Sequence, residues 1–133
     1  MSMPSLARRI AGASLTAMTL VSPVCVSQTA NAAGGGLHLT VSGGENTWIR
    51  GVALRCPPGP GSHHPRGQEA CAALNAAGGN LDALPVGPTV CTQEYSPVTA
   101  TASGDYRGHP VSWRKTFANT CVMQAETGPV FAF

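Results

Sequence analysis

Leu37-His38-Leu39-Thr40-Val41-Ser42 alternates apolar and polar residues with period two, which puts one set of side chains on each face of a strand. Gly43-Gly44-Glu45-Asn46 then turns the chain, and Trp48 to Cys56, carrying Ile49, Val52 and Leu54, reads as a second, antiparallel strand. From Cys56 to Pro65 the stretch CPPGPGSHHP holds too many prolines and glycines for regular structure and reads as a surface loop. A helix follows. Pro65 suits its first turn, with His64 just ahead of it; Glu69 lies near its N-terminus, and Ala70 to Ala77 favour it until Gly78-Gly79 stops it. Its buried side offers only Cys71 and Leu74 beside small alanines, so its packing must be close.

Leu81 and Leu84 read as core anchors beyond this helix. Pro85, Gly87 and Pro88 then bar both a helix and a central strand, so the chain reaches Val90 extended. Val98 to Ala102 reads as a strand with a turn at Gly104-Asp105, and Val111 to Phe117 completes a hairpin, with His109 in the turn and Trp113 as a large core or interface residue. Asn119 is placed to cap a short helix running through Gln124, which Gly128 ends. The terminal Val130-Phe131-Ala132-Phe133 reads as a last strand. There is no internal repeat and no sign of a second domain.

Ahead of the first strand, Arg8 and Arg9 precede an apolar stretch from Ile10 to Val26, and Ala30-Asn31-Ala32 supplies the small-x-small pattern that signal peptidase cleaves. Residues 1–32 are therefore expected to be a secretory leader, and residues 33–133 one extracellular domain. Ser22, Pro23 and Ser27 interrupt the end of the apolar run, which argues against a retained membrane anchor. Loss of Arg8 and Arg9 removes the formal net charge of +2. The remaining Arg50, Arg55, Arg66, Arg107, Arg114 and Lys115 are balanced by Glu45, Glu69, Asp82, Glu94, Asp105 and Glu126. Neither nucleic acid nor an acidic membrane is an expected partner.

Export changes the meaning of the cysteines. Cys56, Cys71, Cys91 and Cys121 remain after the leader, and an even number in a small secreted domain reads as two disulfides with three possible pairings. The sequential pairing, Cys56 to Cys71 and Cys91 to Cys121, closes short loops and is preferred; each bridge would contribute roughly 3 to 4 kcal/mol in the chain-entropy model. Cys56, His63, His64 and Cys71 could be drawn as a metal site, but the oxidising compartment and the lack of a tight Cys-x-x-Cys unit speak against it. No metal and no cofactor is expected.

Enzyme readings find little support. His38, His63, His64 and His109 are the histidines, and the chain has no Gly-x-Ser-x-Gly elbow, His-Glu-x-x-His pair, P-loop or Gly-x-Gly-x-x-Gly turn. The acids are few and scattered, which disfavours a paired-carboxylate hydrolase. The segment VCTQEYSPV, Val90 to Val98, suggests something else. Proteases bind substrates as extended strands, and a segment held extended by prolines and pinned at Cys91 has that shape before it binds. Most of the ordering cost is then removed in advance, which is how an interface of ordinary size becomes very tight. The plainer reading is a proline-rich connection and nothing more.

These residues resemble the Streptomyces subtilisin inhibitor family, over nearly all of residues 33–133. The four cysteines fall at the family's separations. CPPGPGSHHP followed by ACAALNAAGGNLDAL is similar to its loop and first helix, Cys-x-x-x-Tyr-Ser-Pro-Val at Cys91 to Val98 to its reactive loop, FANTC at Phe117 to Cys121 to its supporting segment, and VFAF to its C-terminus. The resemblance implies a two-layer α+β fold with an antiparallel sheet of about five strands, two helices and the sequential disulfides. It implies a homodimer and standard-mechanism inhibition of subtilisin-like serine endopeptidases. Gln93 would be the P1 residue and Gln93–Glu94 the reactive bond, with Val90 at P4, Cys91 at P3, Thr92 at P2 and Tyr95 at P2′. Asn119 resembles the family asparagine that braces the loop from behind.

The sequence departs from the family pattern at the bond itself. P1 in the family is commonly methionine or a basic residue, whereas Gln93 is neutral and polar and Glu94 sets a carboxylate beside it. Strong trypsin inhibition is therefore not expected. The competing expectation is a secreted scaffold or binding protein that keeps the fold without inhibiting, its Gln93 serving as acyl donor to a transglutaminase.

Overall fold

The computed structural model describes residues 35–133 together with Gly12. The leader expected at residues 1–32, and the domain start at Ala33, lie outside the described residues. Strands β1 (Leu37–Gly43), β2 (Ile49–Leu54), β3 (Val98–Tyr106) and β4 (His109–Phe117) form one antiparallel sheet in the order β2-β1-β3-β4. Helices α1 (Gly67–Ala76) and α2 (Thr120–Thr127) and a terminal 3-10 turn (Gly128–Phe131) complete the α+β architecture.

Alternation decides which way the sheet faces. Leu37, Leu39 and Val41 of β1 are buried while His38 between them is exposed, and Val98, Ala100 and Ala102 of β3 stand beside them in register. Against this face pack Leu74 of α1, Met123 of α2, and Val130 and Phe131 of the terminal turn. Alanines at 70, 73, 100 and 102 keep the layers close, as the composition of the first helix requires. Leu81 and Leu84 are both buried, as core anchors.

The terminal residues correct the expected fifth strand. Val130 and Phe131 are buried, but in a 3-10 turn, because Gly128 adopts φ 57° and Pro129 has no N–H to give to a ladder. The sheet therefore has four strands. Trp113 lies at the rim of the core, stacked on Phe131 with ring centres 5.6 Å apart, its indole N–H donating to Asp82 Oδ1 over 2.9 Å.

Two boundaries also shift. Helix α1 starts at Gly67 rather than at Pro65: the Arg66 N–H donates to His64 Nδ1 over 3.0 Å, which holds Arg66 at φ −121° and ψ 44°, outside the helix. The β3–β4 turn lies at Arg107-Gly108, both with positive φ, and not at Gly104-Asp105. Gly104 is a strand residue at φ 124°, where any Cβ would collide with the Gly36 carbonyl; Asp105 donates its N–H to that same oxygen over 3.0 Å.

The disulfides join Cys56 to Cys71, with Cα atoms 5.4 Å apart, and Cys91 to Cys121, 5.7 Å apart. This is the sequential pairing. Among the described residues no helix is long and apolar enough to cross a membrane, and no three His, Cys, Asp or Glu side chains gather to hold a metal ion.

Candidate functional site

Residues 84–97 contain no regular secondary structure, as the prolines at 85, 88 and 97 dictate. The segment is nevertheless fixed at several points. Cys91 is bonded to Cys121 in the first turn of α2. Ser96 donates its N–H to the Ala118 carbonyl over 2.9 Å, and Val98 then enters β3 opposite both Gly43 and Phe117. Between these anchors Thr92, Gln93 and Glu94 are exposed, Tyr95 is 80% exposed and Val90 99% exposed.

Behind the loop stands Asn119, only 7% exposed although it is a polar residue. Two residues beyond the end of β4, its backbone is extended, φ −164° and ψ 173°, and it is the N-cap of α2. The side-chain oxygen accepts the Val122 N–H over 2.9 Å, so the amide nitrogen must face the other way. That nitrogen donates to the carbonyl of Thr92 over 3.3 Å and to that of Glu94 over 2.8 Å. The carbonyls on either side of Gln93 are thus tied to one buried amide. Among the described residues no hydrogen bond is made to the Gln93 carbonyl, which stays available.

The site is convex. A cleft of about 450 Å³ lies beside the Cys56–Cys71 bridge and Arg107, and one of about 390 Å³ beside His64 and Arg66. Neither is lined by Gln93 or Glu94, which stand exposed on the surface of the loop.

The residues expected at the site come together: Val90, Cys91, Thr92, Gln93, Glu94 and Tyr95 are consecutive on the exposed segment, and Asn119 and Cys121 meet it from behind. His63 and His64 are far from this cluster in role. His64 is buried, and since its Nδ1 accepts from Arg66, its Nε2 donates to the Val130 carbonyl over 2.8 Å; this joins α1's start to the terminal turn. The Ser96–Ala118 backbone contact had no signal in the residue types, because main-chain pairing is blind to side-chain identity.

A model of the subtilisin inhibitor-like family matches residues 33–119. The chain belongs to that family. Among its relatives in this family, a subtilase-type protease inhibitor of Streptomyces fradiae is 45% identical over 103 residues, spanning 73% of this chain and 72% of that protein. Subtilisin inhibitor-like protein 7 of Streptomyces ambofaciens is 43% identical over 102 residues, spanning 73% of this chain and 94% of that protein. A solved member, Streptomyces caespitosus sermetstatin in complex with Bacillus licheniformis subtilisin, superposes with a TM-score of 0.57 at 39% identity, covering 74% of this chain and 98% of that one.

Proposed function

We propose that this protein is a secreted, standard-mechanism inhibitor of subtilisin-like serine endopeptidases, itself not an enzyme, with Gln93–Glu94 as its reactive bond. One observation carries the reading: the Asn119 amide holds the carbonyls flanking Gln93 while the Gln93 carbonyl is left free. The relatives named above as protease inhibitors, and the sermetstatin–subtilisin complex, support the partner class.

In this mechanism the protease serine oxygen attacks the Gln93 carbonyl carbon, whose oxygen enters the oxyanion hole. The C–N bond to Glu94 breaks and the nitrogen takes the proton carried by the catalytic histidine. In an ordinary substrate the amine leaves. Here Glu94 remains tied through its carbonyl to Asn119, Tyr95 is followed at once by the Ser96–Ala118 bond, and Cys91 is held by its disulfide. The amine therefore stays beside the acyl carbon at high effective concentration, and re-formation of the bond outpaces attack by water.

Secretion is supported by the two disulfides and by the leader pattern before residue 33. Homodimerisation, implied by the resemblance, finds support in the sheet's second face, where neither helix packs and Thr40, Thr99 and Thr101 line up. The test is titration of active-site-counted subtilisin with the protein. A stoichiometric loss of activity and a persistent complex are expected; rapid cleavage at Gln93–Glu94 with no inhibition would favour the scaffold alternative.

A further inference from the structure

We infer that the tip of the β1–β2 hairpin, carrying Trp48 and Arg50, is a second contact surface for the same protease, on the leaving-group side of Gln93–Glu94. This rests on the inhibitor reading above.

The sheet register places the two surfaces together. Val98, where the loop enters β3, pairs with Gly43 at the end of β1 on one side and with Phe117 at the end of β4 on the other. Asn119 and the loop brace therefore flank one side of that entry point, and the β1–β2 turn flanks the opposite side. The turn lies close to the loop's exit: a Cβ added to Gly44 would stand 3.5 Å from Pro97 Cγ and 3.7 Å from the Pro97 carbonyl oxygen. Adjacent strands are spaced about 4.8 Å apart, so β2, two strands from β3, begins roughly 10 Å from the loop's exit.

Area makes the hairpin relevant. A protease–inhibitor interface takes about 800 Å² and roughly 20 to 30 residues from each partner, a patch about 30 Å across. The exposed run from Val90 to Ser96 cannot fill it alone. Ala118 and Thr120 extend the surface on the Asn119 side, both exposed. On the other side, among the described residues, the hairpin tip adjoins the loop's exit.

Its side chains are of the kind that carry binding energy. Trp48 is 39% exposed and is not part of the hydrophobic core. Its ring lies over Gly43, where a Cβ would collide with it, and the Gly43 N–H donates to the Trp48 carbonyl over 3.0 Å. The Arg50 guanidinium stands 5.0 Å from the ring centre. A tryptophan and an arginine, already stacked and tied to β1 by the Gly43–Trp48 backbone bond, lose less freedom on binding than free side chains and are among the residue types most concentrated in interface hot spots. The core does not use this pair; a flat apolar rim with carbonyl or carboxylate acceptors beside the protease cleft would.

The test compares subtilisin inhibition by the wild-type full chain, a Trp48→Ala/Arg50→Ala double variant, an Arg50→Glu single variant that keeps the tryptophan packed, and an Arg107→Ala control at the far end of the sheet. Both hairpin variants are expected to weaken inhibition by on the order of ten-fold or more, mainly through faster dissociation. The Gln93–Glu94 cleavage equilibrium and the Arg107→Ala constant should stay at wild-type values. A wild type that inhibits, with both hairpin variants matching it, overturns the hairpin contact alone. A wild type that does not inhibit overturns both the contact and the reading on which it rests.

Discussion

The Asn119 side chain joins two tasks: its nitrogen donates to the Glu94 carbonyl over 2.8 Å, across 25 residues of sequence, while its oxygen caps α2 through the Val122 N–H. Loop shape and helix start are thus set by one amide. Substitution separates them. Asn119→Ser keeps an oxygen able to cap the helix but has no second donor for the Thr92 and Glu94 carbonyls. It should retain most of the thermal stability and yet be hydrolysed by subtilisin faster than wild type. Asn119→Ala should lose both, with about 1 kcal/mol from the cap alone and a melting temperature lower by roughly 4–8 °C. Melting curves and the rate of cleavage at Gln93–Glu94 read the two effects independently.

At position 93 the side chain points to solvent and the body of the protein does not depend on it. Gln93→Lys should move inhibition toward trypsin, whose specificity pocket carries a carboxylate. Gln93→Met should tighten inhibition of subtilisin by about ten-fold, since the glutamine amide must otherwise be dehydrated in an apolar pocket at a cost of about 1 to 3 kcal/mol. Inhibition constants against both proteases, at unchanged melting temperature, check this. Unaltered specificity in the lysine variant would count against Gln93 as P1.

The two disulfides should have different consequences when removed. Cys91 and Cys121 are 30 residues apart, and their bridge holds the loop; replacing both by serine should cost roughly 3 to 4 kcal/mol and turn the inhibitor into a substrate. Cys56 and Cys71, 15 apart, tie the proline-rich loop to α1 and touch no part of the site. Their double serine variant should lose about 3 kcal/mol yet keep its inhibition constant wherever it is folded. Denaturant titration paired with inhibition assays distinguishes the two.

His64 provides a control remote from the loop. His64→Ala removes the bond to the Val130 carbonyl and the edge contact with Phe133, whose ring centre is 5.5 Å away. The unpaired buried carbonyl should cost about 1 to 3 kcal/mol. Thermal unfolding should show the loss, while subtilisin inhibition at a temperature well below the transition stays as in wild type.

Much of this was legible in the residues. Leu37, Leu39 and Val41 announce β1 because a half-buried strand needs alternation, and Gly78-Gly79 stop α1 because both take positive φ; at Gly79 a Cβ would also stand 2.7 Å from the Tyr106 ring. Val130 to Phe133 misleads for a physical reason: a short apolar run is equally content in a strand or a buried turn, and only the backbone at Gly128 and Pro129 decides. Gly104 misleads in another way, since its missing side chain serves the close approach of Gly36 rather than a reversal of the chain. The loop could be located from Cys91 and its prolines, and Asn119 from the resemblance. That one amide bridges Thr92 and Glu94 depends on tertiary placement, which no local pattern encodes. Trp48 reads locally as the first residue of a strand; only the pairing of Gly43 with Val98 shows what it stands next to.

The order β2-β1-β3-β4 has a bearing on what a single cut does to the molecule. Severing the peptide after Gln93 leaves one piece with β1, β2 and α1 and another with β3, β4 and α2, and the seam between them is the full β1–β3 ladder in the middle of the sheet, stapled by sulfur between Cys91 and Cys121. The nicked form has nowhere to go. Its two halves would remain one body, held by the β1–β3 ladder and the disulfide.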